Sequence, residues 1–426
     1  MQSEEPARGQ QPAGTASPTV LHVLDPRWSG HDATLALKCC VDLLSDVRQY
    51  AIIAGSRQSE IEAADLGVTT GDRVNLVADS FEEFNTVGFG ATGIASIAGE
   101  RSLRELLTRR LTQLGDVRAV CVWSSRLAGV VAQTVHQATN GQTRTLAMLT
   151  TGPRETWLES DLCVVSGSGV GRARPVCFDE EIAQSWNKAG VGGVEVIECP
   201  VATIDRWSER RRSVREELRI TPEEIVLGVI AEPVKSIDMR LLTWIAGVLT
   251  IAGRKCVAIA PRGSGQSRRA ARYLYLHKRE WDAVQFEGPN ALALPAADIV
   301  LWDLDPRRPA VESGQPGGGQ VTAKMVCAAG VPVFTVAGGM SRRTLSGAPG
   351  WCLSGASTMP GLGAAGLALL DDPALRTSVG QSLINGVNAG VTNARFAQQM
   401  RGLIFGQSSI GGPQMNVEPV MAGGVG

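Results

Sequence analysis

No apolar run in this sequence approaches the ~18–20 residues that span a bilayer, and its first 18 residues, MQSEEPARGQQPAGTASP, lack the apolar core of a secretory signal. A soluble, cytoplasmic protein with no integral membrane segment is therefore expected. Charge of one sign is also lacking. The 41 Lys and Arg and 42 Asp and Glu leave a formal net charge of -1, so no general attraction to nucleic acid or anionic lipid arises. Aromatic residues make up only 5% of the chain, too few for the stacking platforms of a single-stranded nucleic-acid binder. No Cys-x-x-Cys pair and no clustered set of His, Cys and carboxylates offers metal-ligand spacing. Function without a protein-held metal or other cofactor is expected. Nine cysteines, at 39, 40, 121, 163, 177, 199, 256, 327 and 352, form an odd set. Most lie inside apolar strand-like runs, such as RAVCVWS and KCVAIAP, and read as small buried hydrophobes in a reducing compartment.

What the chain does contain is 426 residues, 44% hydrophobic and 19% charged, enough for two packed cores. Short β-branched runs alternate with amphipathic stretches. TVLHVLD (19–25), AIIAG (51–55), RVNLVAD (73–79), RAVCVWS (118–124), TRTLAMLT (143–150) and LCVVSG (162–167) read as strands buried on both faces. Helical patterns follow from Asp32 to about Val47, over 101–115 and over 126–138. A second series begins after VEVIECP (194–200), with a charged helix at 207–220 and strands at 224–232, 255–261, 281–288, 297–304 and 331–338. Alternation of this kind predicts an α/β protein with two Rossmann-like parallel-sheet domains facing a cleft. The expected organisation is a disordered tail (1–18), an N-terminal domain (19–203), a C-terminal domain (204–391), a last helix that crosses back (392–406) and a second disordered tail (407–426). Residues 200–206 and 80–98 are the expected points of proteolytic cleavage.

The second half carries a family resemblance. IECPVATIDRW, RRSVREELRITPEEIVLGVIAEPVKSID, IAPRGSGQSRRA, ADIVLWDL, KMVCAAGVPVFTVAGG and LLDDPALRTSVGQSLI occur in that order. Their order and spacing resemble the C-terminal domain of retaining, nucleotide-sugar-dependent glycosyltransferases of the GT-B type. VLDPRWSGHDATLAL resembles that family's opening strand and glycine-containing loop. The likeness covers residues 19–405 and is looser in the first half. It implies a nucleotide-sugar donor, an unknown acceptor, no metal, and transfer with retention. Two other readings stay open, a non-catalytic binding or scaffold protein on this fold and a sugar-nucleotide epimerase.

Transfer from a nucleotide sugar requires cationic side chains and backbone N–H groups at helix starts to neutralise the departing diphosphate. The resemblance puts Lys235 at the family's phosphate lysine, while Glu232 stands where an arginine is expected. Lys235 reads equally as a phosphate contact or as a solvated lysine at a helix start. The family's pair of glutamates eight positions apart aligns with Gly317 and Met325, neither of them acidic, and Glu312 is the nearby carboxylate that a slipped register would use. Gly318 and Gly319, before a helix, either cradle phosphate through their amides or form a ligand-free glycine loop. Gly30, after the first strand, and Gly263 and Gly265, after KCVAIAP, are the remaining candidate nucleotide-sugar contacts. His31 and Asp32 read as a helix cap more readily than as a dyad, and His136 as structural. These departures imply weak or lost turnover, and restoring Arg at 232 and Glu at 325 is expected to raise nucleotide affinity.

Overall fold

The computed structural model describes residues 18–24, 26–53, 74–77, 92–153, 171–204, 206–230, 239–261, 283–286, 290–302, 319–335 and 359–406. Two parallel sheets organise them. The first contains β1 (Thr19–Leu24), β2 (Arg48–Ile53), β3 (Val74–Val77), β4 (Val117–Val122), β5 (Arg144–Leu149), β6 (Ala173–Cys177) and β7 (Glu195–Val196), in the order β3-β2-β1-β4-β5-β6-β7. The second contains β8 (Ile225–Val229), β9 (Cys256–Pro261), β10 (Ala283–Phe286), β11 (Ile299–Trp302) and β12 (Val333–Thr335), in the order β10-β9-β8-β11-β12. Every residue of β1 and of β11 is buried, as their largely apolar runs predict for strands covered on both faces. β1 is central, pairing Leu21 with Tyr50 on one side and with Val120 on the other.

The helices are α1 (Pro26–Leu43), α2 (Thr92–Leu114), α3 (Ser125–Thr139), α4 (Glu180–Lys188), α5 (Trp207–Glu217), α6 (Met239–Ile251), α7 (Asn290–Ala293), α8 (Gln320–Ala328), α9 (Met359–Asp371), α10 (Pro373–Val387) and α11 (Ala389–Phe405). Local chemistry sets several of their ends. Asp372 caps α10 by accepting from the amides of Ala374 and Leu375, with Pro373 in the first turn where its missing N–H costs nothing. Asp179 caps α4 by accepting from the Glu181 amide. One start differs from the sequence expectation: α1 begins at Pro26, not at Asp32, so Gly30, His31 and Asp32 lie inside a helix and not in a loop or at its cap. Proline's fixed φ suits the first helical position and sets that earlier start.

The charged stretch of α5 is more than a solvated face. The Arg211 guanidinium donates to the carbonyls of Pro295, Ala296 and Ala297 and pairs with Asp298 at 2.6 Å. The other Asp298 oxygen accepts from the Val226 amide at the start of β8, so the helix is tied to its own sheet. Cys39, Cys40, Cys121, Cys177, Cys199, Cys256 and Cys327 are all free and buried. Burial pushes the thiols of Cys121 and Cys256 up to about 12, which leaves them protonated and inert.

The segment joining the two sheets is packed in place. Cys199, Pro200, Val201 and Ala202 are buried. The Asn393 side chain of α11 accepts from the Val201 amide at 2.8 Å and donates to the Val201 carbonyl at 3.0 Å, while Gln399 accepts from the Glu198 amide. α11 itself lies against first-sheet residues: Phe396 packs edge-on to Phe178, Arg144 donates to the Leu403 carbonyl, and Arg401 pairs with Asp46. Cleavage near 200 therefore requires local opening. Asn393→Ala leaves a partly buried backbone amide without its acceptor, at a cost of about 1–3 kcal/mol. Limited proteolysis of this variant is expected to cut at 198–204 at least fivefold faster than wild type, since ~1 kcal/mol is about fivefold in the open population. Equal cutting rates would show that the staple does not control access.

Candidate active site at the meeting of the two sheets

In parallel sheets a ligand site forms outside the carboxyl ends of the strands, where the strand order reverses. The first sheet reverses between β1 and β4, and α1 leaves the end of β1. The second reverses between β8 and β11, and the start of α8 lies against their ends. Gly319, which precedes α8, shows how close that approach is. Its φ is +102°, and a Cβ there would sit 2.7 Å from Ile230, just beyond β8, and 2.8 Å from the Trp302 indole at the end of β11. Only glycine fits.

The two switch points meet through one side chain. Asp32 of α1 reaches the start of α8 and accepts four hydrogen bonds. The Gly319 and Val321 amides donate to Oδ2 at 2.8 and 3.1 Å, and the Thr322 amide and hydroxyl donate to Oδ1 at 2.9 and 2.7 Å. A helix start is the natural place for an anion, since its first amides lack intrahelical acceptors and the helix dipole favours negative charge. Asp32 is 1% exposed. Burial pushes its carboxyl above the usual carboxylate range, and the Thr322 hydroxyl and the three amides oppose that shift. The side chain of Gln320, next in the chain and also 1% exposed, has no hydrogen-bond partner at its oxygen or its nitrogen among the described residues. A second tie lies farther along α8, where Lys324 pairs with Glu198 at 2.9 Å and donates to the Cys199 carbonyl.

Of the residues expected from sequence, Gly30 lies within α1 and Gly319 at the start of α8. Lys235, Gly263, Gly265, Glu312 and Gly318, with Glu232 and Gly317, fall outside the described residues. So do Asp303 and Asp305, an Asp-x-Asp spacing directly after Trp302 that bears on the expectation of a metal-free site. Met325 is 1% exposed, within the core. His136 lies in the last turn of α3 and packs beneath Gly141 and Gly171. The contact that sequence reasoning missed is Asp32 to α8. Its signal was the run Gly317-Gly318-Gly319 ahead of QVTAK, a helix start with no Ser, Asp or Asn to cap it. The acceptor had to come from elsewhere. A separate depression of about 430 Å³, lined by Arg211, Asp298, Pro332, Arg376 and Gln381, lies at the amino ends of β11 and β12, away from both switch points.

No protein-family model and no curated protein sequence matches the chain. Solved structures do. HepE from Anabaena, in complex with UDP and glucose, shares 14% identity at a TM-score of 0.61, covering 91% of this chain and 99% of its own. Sucrose-phosphate synthase from Thermosynechococcus elongatus shares 12% at 0.61, covering 92% and 100%. A Rickettsia africae glycosyltransferase shares 12% at 0.57, also covering 92% and 100%. The fold is GT-B. Within this GT-B chain the expectation of two parallel sheets with an intervening cleft holds, and the neighbours span nearly its whole length.

One titratable group near the first switch point is accounted for by structure. His22, fully buried on β1, accepts at Nδ1 from the Trp123 indole (3.2 Å) and so donates from Nε2 to Gln49 (3.0 Å). Gln49 in turn donates to the Cys40 and Leu44 carbonyls. Burial lowers the His22 pKa from 6.5 to about 4, against the Gln49 hydrogen bond, which raises it. The depressed value means stability that is complete above pH 6.5 and lost as pH falls towards 4, about 3 kcal/mol for this residue. Urea unfolding at pH 7.0 and 4.5 is expected to show that loss in wild type. His22→Phe should be less stable at pH 7 but flatter across the range; an equally steep profile in the variant would assign the loss to other groups.

Proposed function

We propose that this protein receives a nucleotide sugar in the cleft between its two sheets, held mainly by the second half, and that its glycosyl transfer is weak or lost, with retention in any transfer that remains. The observation carrying this reading is the contact of Asp32 with the start of α8. The cleft presents amides fit to receive an anion, and a carboxylate of the chain itself already engages them. The GT-B fold supports the nucleotide-sugar part, with neighbours described in complex with UDP or UDP-glucose. The residues support the weakness. A departing diphosphate develops charge, and loss of one preorganised donor costs ~10²–10³ in rate. Glu232 puts the wrong sign where the resemblance expects a cation.

Two further readings share the fold. A non-catalytic binding protein is favoured by the same Asp32 contact, because it uses amides that turnover would require. A sugar-nucleotide epimerase is supported only by likeness to UDP-N-acetylglucosamine 2-epimerase, at 12% identity and a TM-score of 0.52 over 92% of this chain and 97% of that one.

The test is a panel of nucleotide sugars scored by thermal stability and by turnover. A ligand at 100 times its Kd adds ~2.7 kcal/mol, so a binder is expected to raise Tm by several degrees, and Lys235→Ala to remove the shift. Transfer at ~1 s⁻¹ or faster would contradict weak turnover, and no shift with any member would contradict the site. Met325→Glu tests the companion expectation of higher affinity, and the burial of Met325 argues against it. Met325 is buried in the α8 core, so a carboxylate there is unpaired and desolvated. The variant is expected to lose more than ~2 kcal/mol in urea unfolding and to gain no affinity; a stable, tighter-binding Met325→Glu would place that side chain in the cleft.

A further inference from the structure

We propose that Asp32 is an internal blocking anion: its carboxylate takes the donors at the start of α8 that a diphosphate would use and holds the two halves together there until it withdraws. This rests on the reading of the cleft as a nucleotide site. Three observations carry it. First, the carboxylate is matched to its seat by four bonds of 2.7–3.1 Å, three from backbone amides and one from Thr322. That is the donor pattern a phosphate oxygen pair would meet, and it leaves those amides none to spare. Second, Asp32 belongs to the first sheet's α1 and its seat to the second sheet's α8, 287 to 290 residues away in sequence. The contact can therefore be broken by moving the halves apart, without unfolding either. Third, Gln320 at the same turn is buried with both polar atoms unpaired among the described residues. Such groups are rare in a native interior. The blocked arrangement satisfies the amides beside Gln320 and leaves Gln320 itself unsatisfied, as expected of one of two arrangements and not of a permanently closed core.

Lys324 supplies the control. It ties the same helix to Glu198 without touching the amides at the helix start. Removing it loosens the interface and leaves the block in place, whereas removing Asp32 uncovers the donors. Alanine is the best helix former, so Asp32→Ala keeps α1 intact.

The experiment uses the full chain and two probes, UDP and inorganic pyrophosphate, titrated calorimetrically into wild type, Asp32→Ala and Lys324→Ala, with small-angle scattering of each. The Asp32→Ala protein is expected to bind both probes at least tenfold more tightly than wild type and to scatter as a more extended particle, with no affinity gain for Lys324→Ala. Equal affinities of wild type and Asp32→Ala for a probe that binds both, at unchanged dimensions, overturn the block while leaving the nucleotide reading standing. Extension of Asp32→Ala with neither probe bound supports the hold between halves and counts against the nucleotide reading. Should Asp32→Ala fail to fold, Asp32→Asn keeps the side-chain shape, removes the charge and leaves every donor of α8 in place. It is expected to gain at least threefold in pyrophosphate affinity, and no gain overturns the proposal.

Discussion

Among the described residues, the switch points of the two sheets are joined by one buried carboxylate at a helix start. Taking an ionised aspartate out of water costs several kcal/mol, and nothing but charge-assisted hydrogen bonds in good geometry repays it. The start of α8 supplies these because its first amides have no intrahelical acceptors and its own sequence brings no capping side chain. Each partner thus has a deficit that the other meets, at ~1.5–3 kcal/mol per bond to a charged group. The outcome is less a large net stabilisation than a specific register of one half on the other. Gly319 makes the register possible, because any side chain at that position would strike Ile230 and Trp302 and push α8 away from the strand ends.

Around that contact the chain adds ties that approach the interface from other sides. Lys324 reaches Glu198 and Cys199 from α8. Asn393 and Gln399 reach the same connecting segment from α11, and Arg401 and Phe396 hold α11 to first-sheet residues. The last described helix therefore touches both the connection and the first half. Opening at the cleft is compatible with these ties when the motion pivots near 198–204, where the Lys324, Asn393 and Gln399 bonds lie. Breaking the Asp32 contact is then the larger displacement.

Much of the fold was legible in sequence because burial on both faces forces unbroken apolar runs, and such runs alternating with amphipathic ones specify parallel sheets. β1 and β4 were read at nearly their observed bounds for that reason, while β8 and β11 were read too long, with 231–232 and 303–304 outside the described residues. The start of α10 carries its signal in DDPALR, a capping aspartate followed by a proline. The site was less legible. Asp32 was read as a cap, and it is one, but of a helix some 290 residues away, because side-chain chemistry names a partner type and not a partner. The early start of α1 at Pro26 moved Asp32 from the helix end to its interior, where it can point across the cleft. Met325 shows the converse error: a position aligned to a ligand contact is a core residue, since helical periodicity alone does not say which face meets solvent.

Asp32 can both block and release only if its attraction to α8 is comparable with that of an incoming ligand. A carboxylate brings one negative charge, while a nucleoside diphosphate brings more charge and more acceptor oxygens to the same amides. Competition at a helix start therefore favours the ligand once the nucleotide is bound elsewhere in the second half, because the rest of the nucleotide provides affinity that Asp32 cannot match. What the ligand must overcome is not the strength of the Asp32 bonds but their effective concentration, set by the packing of α1 on α8 and by the Lys324 and α11 ties. A chain that loosened those ties would lower the threshold without altering the amides, and one that tightened them would make the same fold a purely structural element. On this argument the difference between a working GT-B cleft and a closed one lies in interdomain packing as much as in catalytic side chains.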